Sequence, residues 1–239
     1  RNKVKKSLEK NKKTFIYLAI LIGASLFLGS ALQQVALLYT DVANAAFFTI
    51  FYVPMVPIII FFIYKKPIHW SIWPSVFLCV MGGYLLTNFY NSTIRMGDTL
   101  VIIGAFFWST HIIFTGKIIE NYNLPLTIGA IQTLMVAFLS LIVGLIFEDF
   151  ILINILKERF SILYAGILSG GFAFVLQIYA QKNILPAPAA IIFSLEGVFA
   201  TIAAWFLLNQ LLNINNLIGC LFILFGVLLS QLLPILKKN

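Results

Sequence analysis

Long apolar stretches, each close to the length of one membrane crossing and separated by short polar breaks, run from residue 14 to residue 235. The hydrocarbon core of a bilayer is about 30 Å thick, and about 20 apolar residues in a helix cross it. A chain that is 61% hydrophobic and 10% charged, with a mean hydropathy of +1.01, has too little polar surface to face water. Soluble domains carry roughly a quarter charged residues. The stretches are continuous rather than alternating, which favours helices over the short alternating strands of a barrel. The expected fold class is an all-α integral membrane protein embedded in the lipid bilayer. Eight transmembrane helices are expected at 14–38, 42–63, 70–90, 97–119, 126–147, 160–182, 187–208 and 213–235. The stretch around 148–160, containing EDFILINILKER, reads as a small interfacial segment.

The placement of cations sets the topology. Seven of the 16 Lys+Arg lie in RNKVKKSLEKNKK, residues 1–13. An arm for nucleic acid would look similar, but a basic flank held against an anionic cytoplasmic surface is the simpler reading, and no nucleic-acid partner is expected. With the N-terminus inside, the inner segments hold thirteen cations, including Lys65, Lys66, Lys117, Lys182, Lys237 and Lys238. The outer loops hold three: Arg95, Lys157 and Arg159. This positive-inside bias predicts a multi-pass protein of the cell membrane, of bacterial inner-membrane type, with both termini cytoplasmic. Cys79 and Cys220 each lie inside an apolar run and read as small packing residues. No cleavable signal peptide is read, because no small-residue cleavage site follows the first apolar run.

Sliding the chain by 144 residues without gaps superposes Gln33 on Gln177, Ala36 on Ala180, and Ala45 and Ala46 on Ala189 and Ala190. Phe62 then falls on Phe206, Gly82 on Gly226 and Leu85 on Leu229. The first three spans match the last three in unbroken register. The offset is five helices, an odd number, so the two repeats have inverted topology. We divide the chain into residues 1–95, the latter part of a first repeat, and 96–239, a second repeat. Inverted repeats are a common build of secondary transporters, with the site near mid-membrane where the repeats meet. The spans at 97–119 and 126–147 have no partner, which would lie before residue 1. The chain also opens on Arg1. The expectation is an N-terminally truncated ten-helix protein, of which helices three to ten are present; the alternative is a natural eight-helix protein.

Several stretches resemble the drug/metabolite transporter superfamily, EamA branch. ALQQVALLYTDVANAAFFTIFYVPMVPIII resembles its third and fourth helices, and GDTLVIIGAFFWSTHIIFTGKII its sixth. LQIYAQKNILPAPAAIIFSLEGVFATIAAWFLLNQ and IGCLFILFGVLLSQ resemble its eighth to tenth. The resemblance implies ten helices in two inverted five-helix repeats, a central cavity, cytoplasmic termini, and movement of small metabolites, often outward. This chain has Glu196-Gly197 where the family often has Glu-Pro, and Asn209-Gln210 where it often has Gly-Glu.

Glu196 sits midway along the span at 187–208. A carboxylate in hydrocarbon is costly, so it should face a cavity or a partner. It could couple protons or bind a substrate amine; it could equally anchor its helix by a hydrogen bond to a neighbour. Tyr52 is its repeat equivalent and should lie across from it. Gln33 and Gln177 are equivalent neutral amides; Tyr179 and Gln181 follow in the same span, Gln181 one turn from Gln177. They could line a cavity or tie helices together. In WSTH, Trp108 and His111 share a helix face; a cavity lining and a packed histidine both account for them. Pro54, Pro57, Pro186 and Pro188 predict kinks or helix starts. Asn44 reads as a cap or loop contact.

No phosphate-binding glycine loop, dinucleotide fingerprint, HExxH or hydrolase triad is found, so neither an enzyme nor a cofactor or metal is expected. Two readings stand: a secondary carrier of a small-molecule substrate, amino-acid-like or drug-like, most readily an exporter, with proton coupling and a homodimer left open; or a non-transporting membrane receptor or scaffold that kept the fold. The intact mass of the native product tests the truncation. The truncated reading predicts a mass above 26.8 kDa, and a mass equal to it contradicts that reading.

Overall fold

The computed structural model describes residues 11–88, 93–149, 151–209 and 211–236. Most of the basic flank, the end of the span at 70–90, Gln210, Lys237 and Lys238 lie outside the described residues. Among the described residues the elements are helices: α1 Lys12–Ala36, α2 Val42–Thr49, α3 Tyr52–Ile63, α4 Ile72–Leu86, α5 Met96–Tyr122 and α6 Pro125–Phe147. They continue with α7 Leu152–Lys157, α8 Arg159–Leu163, a π-helical run Tyr164–Ala173, α9 Phe174–Gln181, α10 Pro186–Phe193, α11 Leu195–Leu208 and α12 Ile214–Leu236.

Each expected span has its helix, and seven are long and apolar enough to cross a membrane. The span at 70–90 is shorter than expected. Its helix, α4, has 15 residues, about 22 Å of rise against a core of about 30 Å. It ends where Thr87 turns its hydroxyl back onto the Gly83 carbonyl at 2.8 Å and Asn88 takes a left-handed backbone conformation, φ 53°. The span at 160–182 holds the π-helical run, rich in Gly and Ser, which are weak helix formers. The expected interfacial segment contains the short helix α7.

The helices gather into two compact units, the first comprising residues 1–28 and 114–184 and the second residues 29–113 and 185–239. In the first unit, Phe15, Leu18, Ala19 and Ile22 of α1 pack with Ile118, Ile119 and Tyr122 of α5, Ile128 of α6 and Ile178 of α9. The Tyr122 hydroxyl donates to the Asn11 carbonyl at 3.0 Å, and its ring meets Phe15 edge-on at 5.0 Å. Gly23 gives α1 room for Met135 of α6.

The second unit is built on close backbone approach between α4 and α12. A β-carbon at Gly82 would stand 2.7 Å from the Gly219 carbonyl oxygen, and one at Gly219 would stand 2.6 Å from the Gly82 carbonyl oxygen. A β-carbon at Gly226 would stand 2.9 Å from the Ser75 carbonyl oxygen. Gly82 and Gly226 are 144 residues apart, as are Ser75 and Gly219, so the two contacts are mates under the sequence offset. Between helices in lipid, where no hydrophobic effect draws them together, small residues that let backbones touch supply the packing.

A buried acid ties the α1–α2 loop to the start of α5. Asp98, 1% exposed, accepts from the Thr40 hydroxyl, from Asn44 Nδ2 at 3.1 Å and from the Arg95 backbone N–H at 2.7 Å. The last contact is a capping-box bond, which satisfies a backbone donor left over at a helix start. Asn44 also donates to the Thr93 carbonyl at 2.9 Å, the loop contact expected of it. Arg95 pairs with Asp41 at 2.7 Å on the exposed side of this cluster.

Because the atoms facing Gly82 and Gly219 are backbone and cannot swing aside, Gly82→Ala and Gly219→Ala should each cost about 1–3 kcal/mol. The readout is the thermal unfolding midpoint of the purified protein in detergent. Gly166→Ala, at a glycine with open space around it, should leave the midpoint unchanged.

Candidate functional site

The site grows from two kinks. Pro54 lacks the N–H that would reach the Ile50 carbonyl one helical turn back, and its ring crowds that carbonyl. The chain answers with tighter turns: the N–H groups of Ile50, Phe51 and Val53 donate to the carbonyls of Phe47, Phe48 and Ile50 at 3.1, 3.2 and 2.9 Å. Helix α2 therefore stops at Thr49 and α3 begins at Tyr52.

The second kink separates α10 from α11 at Ser194. The Gly197 N–H donates to the Ser194 carbonyl at 3.2 Å, repeating the Val53-to-Ile50 bond 144 residues later. No proline sits one turn on. Instead the Ser194 hydroxyl donates to the Ile191 carbonyl at 2.6 Å, the type of back-bond that bends helices. The same hydroxyl lies 3.4 Å from Cys79 Sγ.

The first residues after the two kinks meet. The Tyr52 hydroxyl donates to Glu196 Oε1 at 3.5 Å, a long hydrogen bond. Tyr52 is 4% exposed within an apolar cluster that includes Val53, Val56, Ile112 and Ile191, whereas Glu196 is exposed on the surface of this unit. The carboxylate thus stands with one oxygen on a fixed phenol and the rest of the group free to receive a ligand. Glu196 lies in the first turn of α11, where the positive end of the helix dipole favours an anion. The Ser109 hydroxyl, bonded at 2.7 Å to the Ala105 carbonyl, backs the Tyr52 carbonyl at 3.4 Å.

The other expected site residues divide between the units. Trp108 packs against the cluster that holds Tyr52, and its ring meets that of the fully buried His111 edge-on at 6.2 Å. Gly29 of α1 lies against the Trp108 indole, where a β-carbon would come within 3.3 Å. Gln33 is half-buried and donates to the Thr49 hydroxyl at 3.2 Å, immediately before the first kink. All of these belong to the second unit. Gln177, half-buried, Tyr179, exposed, and Gln181, buried, belong to the first unit, on α9. Sequence reasoning passed over Ser194, Cys79, Ser109 and Thr49. Ser194 had a readable signal, a hydroxyl residue two before the acid; the other three sit on faces that periodicity leaves undefined. Among the described residues, no group of three or more His, Cys, Asp or Glu is placed to hold a metal ion.

The family described as the EamA-like transporter family matches residues 95–232. An uncharacterized transporter of Archaeoglobus fulgidus is 29% identical over 211 residues, covering 88% of this chain and 67% of its own length. An uncharacterized transporter of Clostridium kluyveri is 25% identical over 232 residues, covering 90% of this chain and 71% of its own. A protein of known crystal structure is similar over 92% of this chain and 78% of its own, with a TM-score of 0.79 and 15% identity. That likeness shows the fold.

Truncating Tyr52 separates the roles of its ring and its hydroxyl. Tyr52→Phe should change the unfolding midpoint by the equivalent of about 1 kcal/mol or less, because the hydrogen bond is long and its partner is exposed. Tyr52→Ala should cost about 3–5 kcal/mol, as expected for removal of a packed aromatic ring. Equal losses would contradict the packing described for this residue.

Proposed function

Because this chain belongs to the EamA-like transporter family, we propose that it is a secondary carrier that moves a small, amine-bearing organic solute out of the cell in exchange for protons. It is a membrane-embedded transporter of the drug/metabolite type. The observation that carries the finer reading is the meeting of Tyr52 and Glu196 at the two kinks. Broken helices at equivalent positions of two repeats are a common way for secondary transporters to frame a site. In this reading residues 1–95 and 96–239 are the two repeats, and each contributes one kinked helix and one of the facing side chains.

The chemistry follows from one exposed carboxylate beside a phenol. An ionised Glu196 attracts a cationic amine and accepts the Tyr52 hydrogen bond. A protonated Glu196 has lost the charge that holds the amine. Solute and proton therefore compete for one group, and competition for a shared carboxylate is sufficient to link their movements in opposite directions. Trp108 and Gln33 supply an aromatic face and a neutral amide on the same unit, suited to the uncharged part of such a solute. Access alternates as the repeats rock about the kinks, with both termini on the cytoplasmic side.

The test compares extracellular metabolites from cells overproducing the full-length protein with cells producing its Glu196→Gln variant at matched membrane levels. The expected result is an amine that accumulates outside with the unmodified protein and about tenfold less with the variant, the scale of a lost charge-assisted hydrogen bond. Equal accumulation by both, with unchanged pH dependence, would overturn the role of Glu196. No accumulation with either, relative to empty cells, would overturn export.

A further inference from the structure

We propose that the end of α3 carries a binding site for an anionic phospholipid. A groove of about 450 Å³ lies there, lined by Phe61, Phe62, Lys65, Lys66 and Pro67. Its composition is two aromatic rings followed by two cations. Phe61 and Phe62 are exposed and meet edge-on at 5.2 Å, so they present a broad apolar wall beyond the helix. Lys65 and Lys66 are also exposed, and among the described residues the recorded ion pair is Arg95 with Asp41, with neither lysine in one.

The backbone gives a second, independent observation. Four described residues other than glycine have a left-handed backbone conformation: Lys65, Asn88, Asn123 and Asn209. Asparagine tolerates this region because its short side chain can bond locally. Lysine has no such aid, and its β-carbon meets the usual steric cost. The turn that ends α3 is therefore made with a residue poorly suited to it as a turn, φ 50°. Pro67 then holds Lys66 toward an extended conformation. The two successive lysines are fixed at the mouth of the groove by the chain itself.

The surroundings place the groove at headgroup depth. Trp70 and Trp73 follow within the same loop and the start of α4, and both are exposed. Exposed tryptophans beside lysines at the end of an apolar helix mark a membrane–water boundary. An anionic phospholipid satisfies every part at once: its phosphate lies on Lys65 and Lys66, and the upper part of its acyl chains lies on Phe61 and Phe62. Free phosphate would leave the aromatic wall bare, and a zwitterionic lipid would leave the two lysine charges uncompensated. Each lysine near an anionic membrane surface strengthens binding several-fold.

Native mass spectrometry of the full chain, released from phosphatidylcholine vesicles with about a tenth phosphatidylglycerol, tests this site. The unmodified protein should retain phosphatidylglycerol roughly tenfold above its share of the vesicle lipid. Lys65→Gln/Lys66→Gln should retain the two lipids in proportion to the vesicle. Lys65→Arg/Lys66→Arg, which keeps both charges, should recover the enrichment. Size-exclusion profiles matched to the unmodified protein guard against misfolded variants. Retention in proportion by the unmodified protein would overturn the proposal. So would full enrichment in the glutamine variant.

Discussion

In hydrocarbon a backbone N–H or carbonyl without a partner has no water to turn to, so a spanning helix keeps every bond of its ladder or replaces each one it loses. The kinks at Ile50 and Ser194 are where this chain meets that requirement. At the first, a proline deletes a donor and the Val53 N–H takes over the Ile50 carbonyl at 2.9 Å. At the second, a serine hydroxyl and the Gly197 N–H produce the same bond by different means. Different residues thus make equivalent bends at the same offset. The geometry of the kink, rather than one residue type, is what the two places share.

Everything around the candidate site depends on those bends. Each starts a new helix segment whose first residue or second residue is the one that matters, Tyr52 opening α3 and Glu196 following Leu195 in α11. The acid gains the favourable end of a helix dipole without leaving its span. The glycine contacts between α4 and α12 bring their backbones together nearby in the same unit, and they too come as mates under the offset. Asp98 does a different task, joining a loop to a helix start through three donors that would otherwise be buried unsatisfied.

The helices were legible in the sequence because lipid demands long apolar runs and leaves few alternatives. The facing of Tyr52 and Glu196 was legible too, since an unbroken offset placed them as equivalents before any coordinates. What escaped were features that rest on contact rather than pattern. Gly82 matched Gly226 by identity, yet it packs on Gly219, and only the helix crossing could reveal that. Ser194 bends a helix by a hydrogen bond that a serine does not always make. The early stop of α4 comes from Thr87 and Asn88, common residues in a run that still reads as apolar. Gln177 matched Gln33 in sequence, but the two belong to different compact units, so shared register did not imply shared surroundings.

The central claim is that Tyr52 and Glu196 act as one unit on the transported solute. A double-mutant cycle measures this most directly, using Tyr52→Phe, Glu196→Gln and the double variant, with initial export rates compared at matched membrane levels. The account predicts strong non-additivity: the double variant is no slower than Glu196→Gln, and the coupling exceeds about 0.5 kcal/mol. Effects that add within about 0.3 kcal/mol would contradict it and return each residue to a separate role.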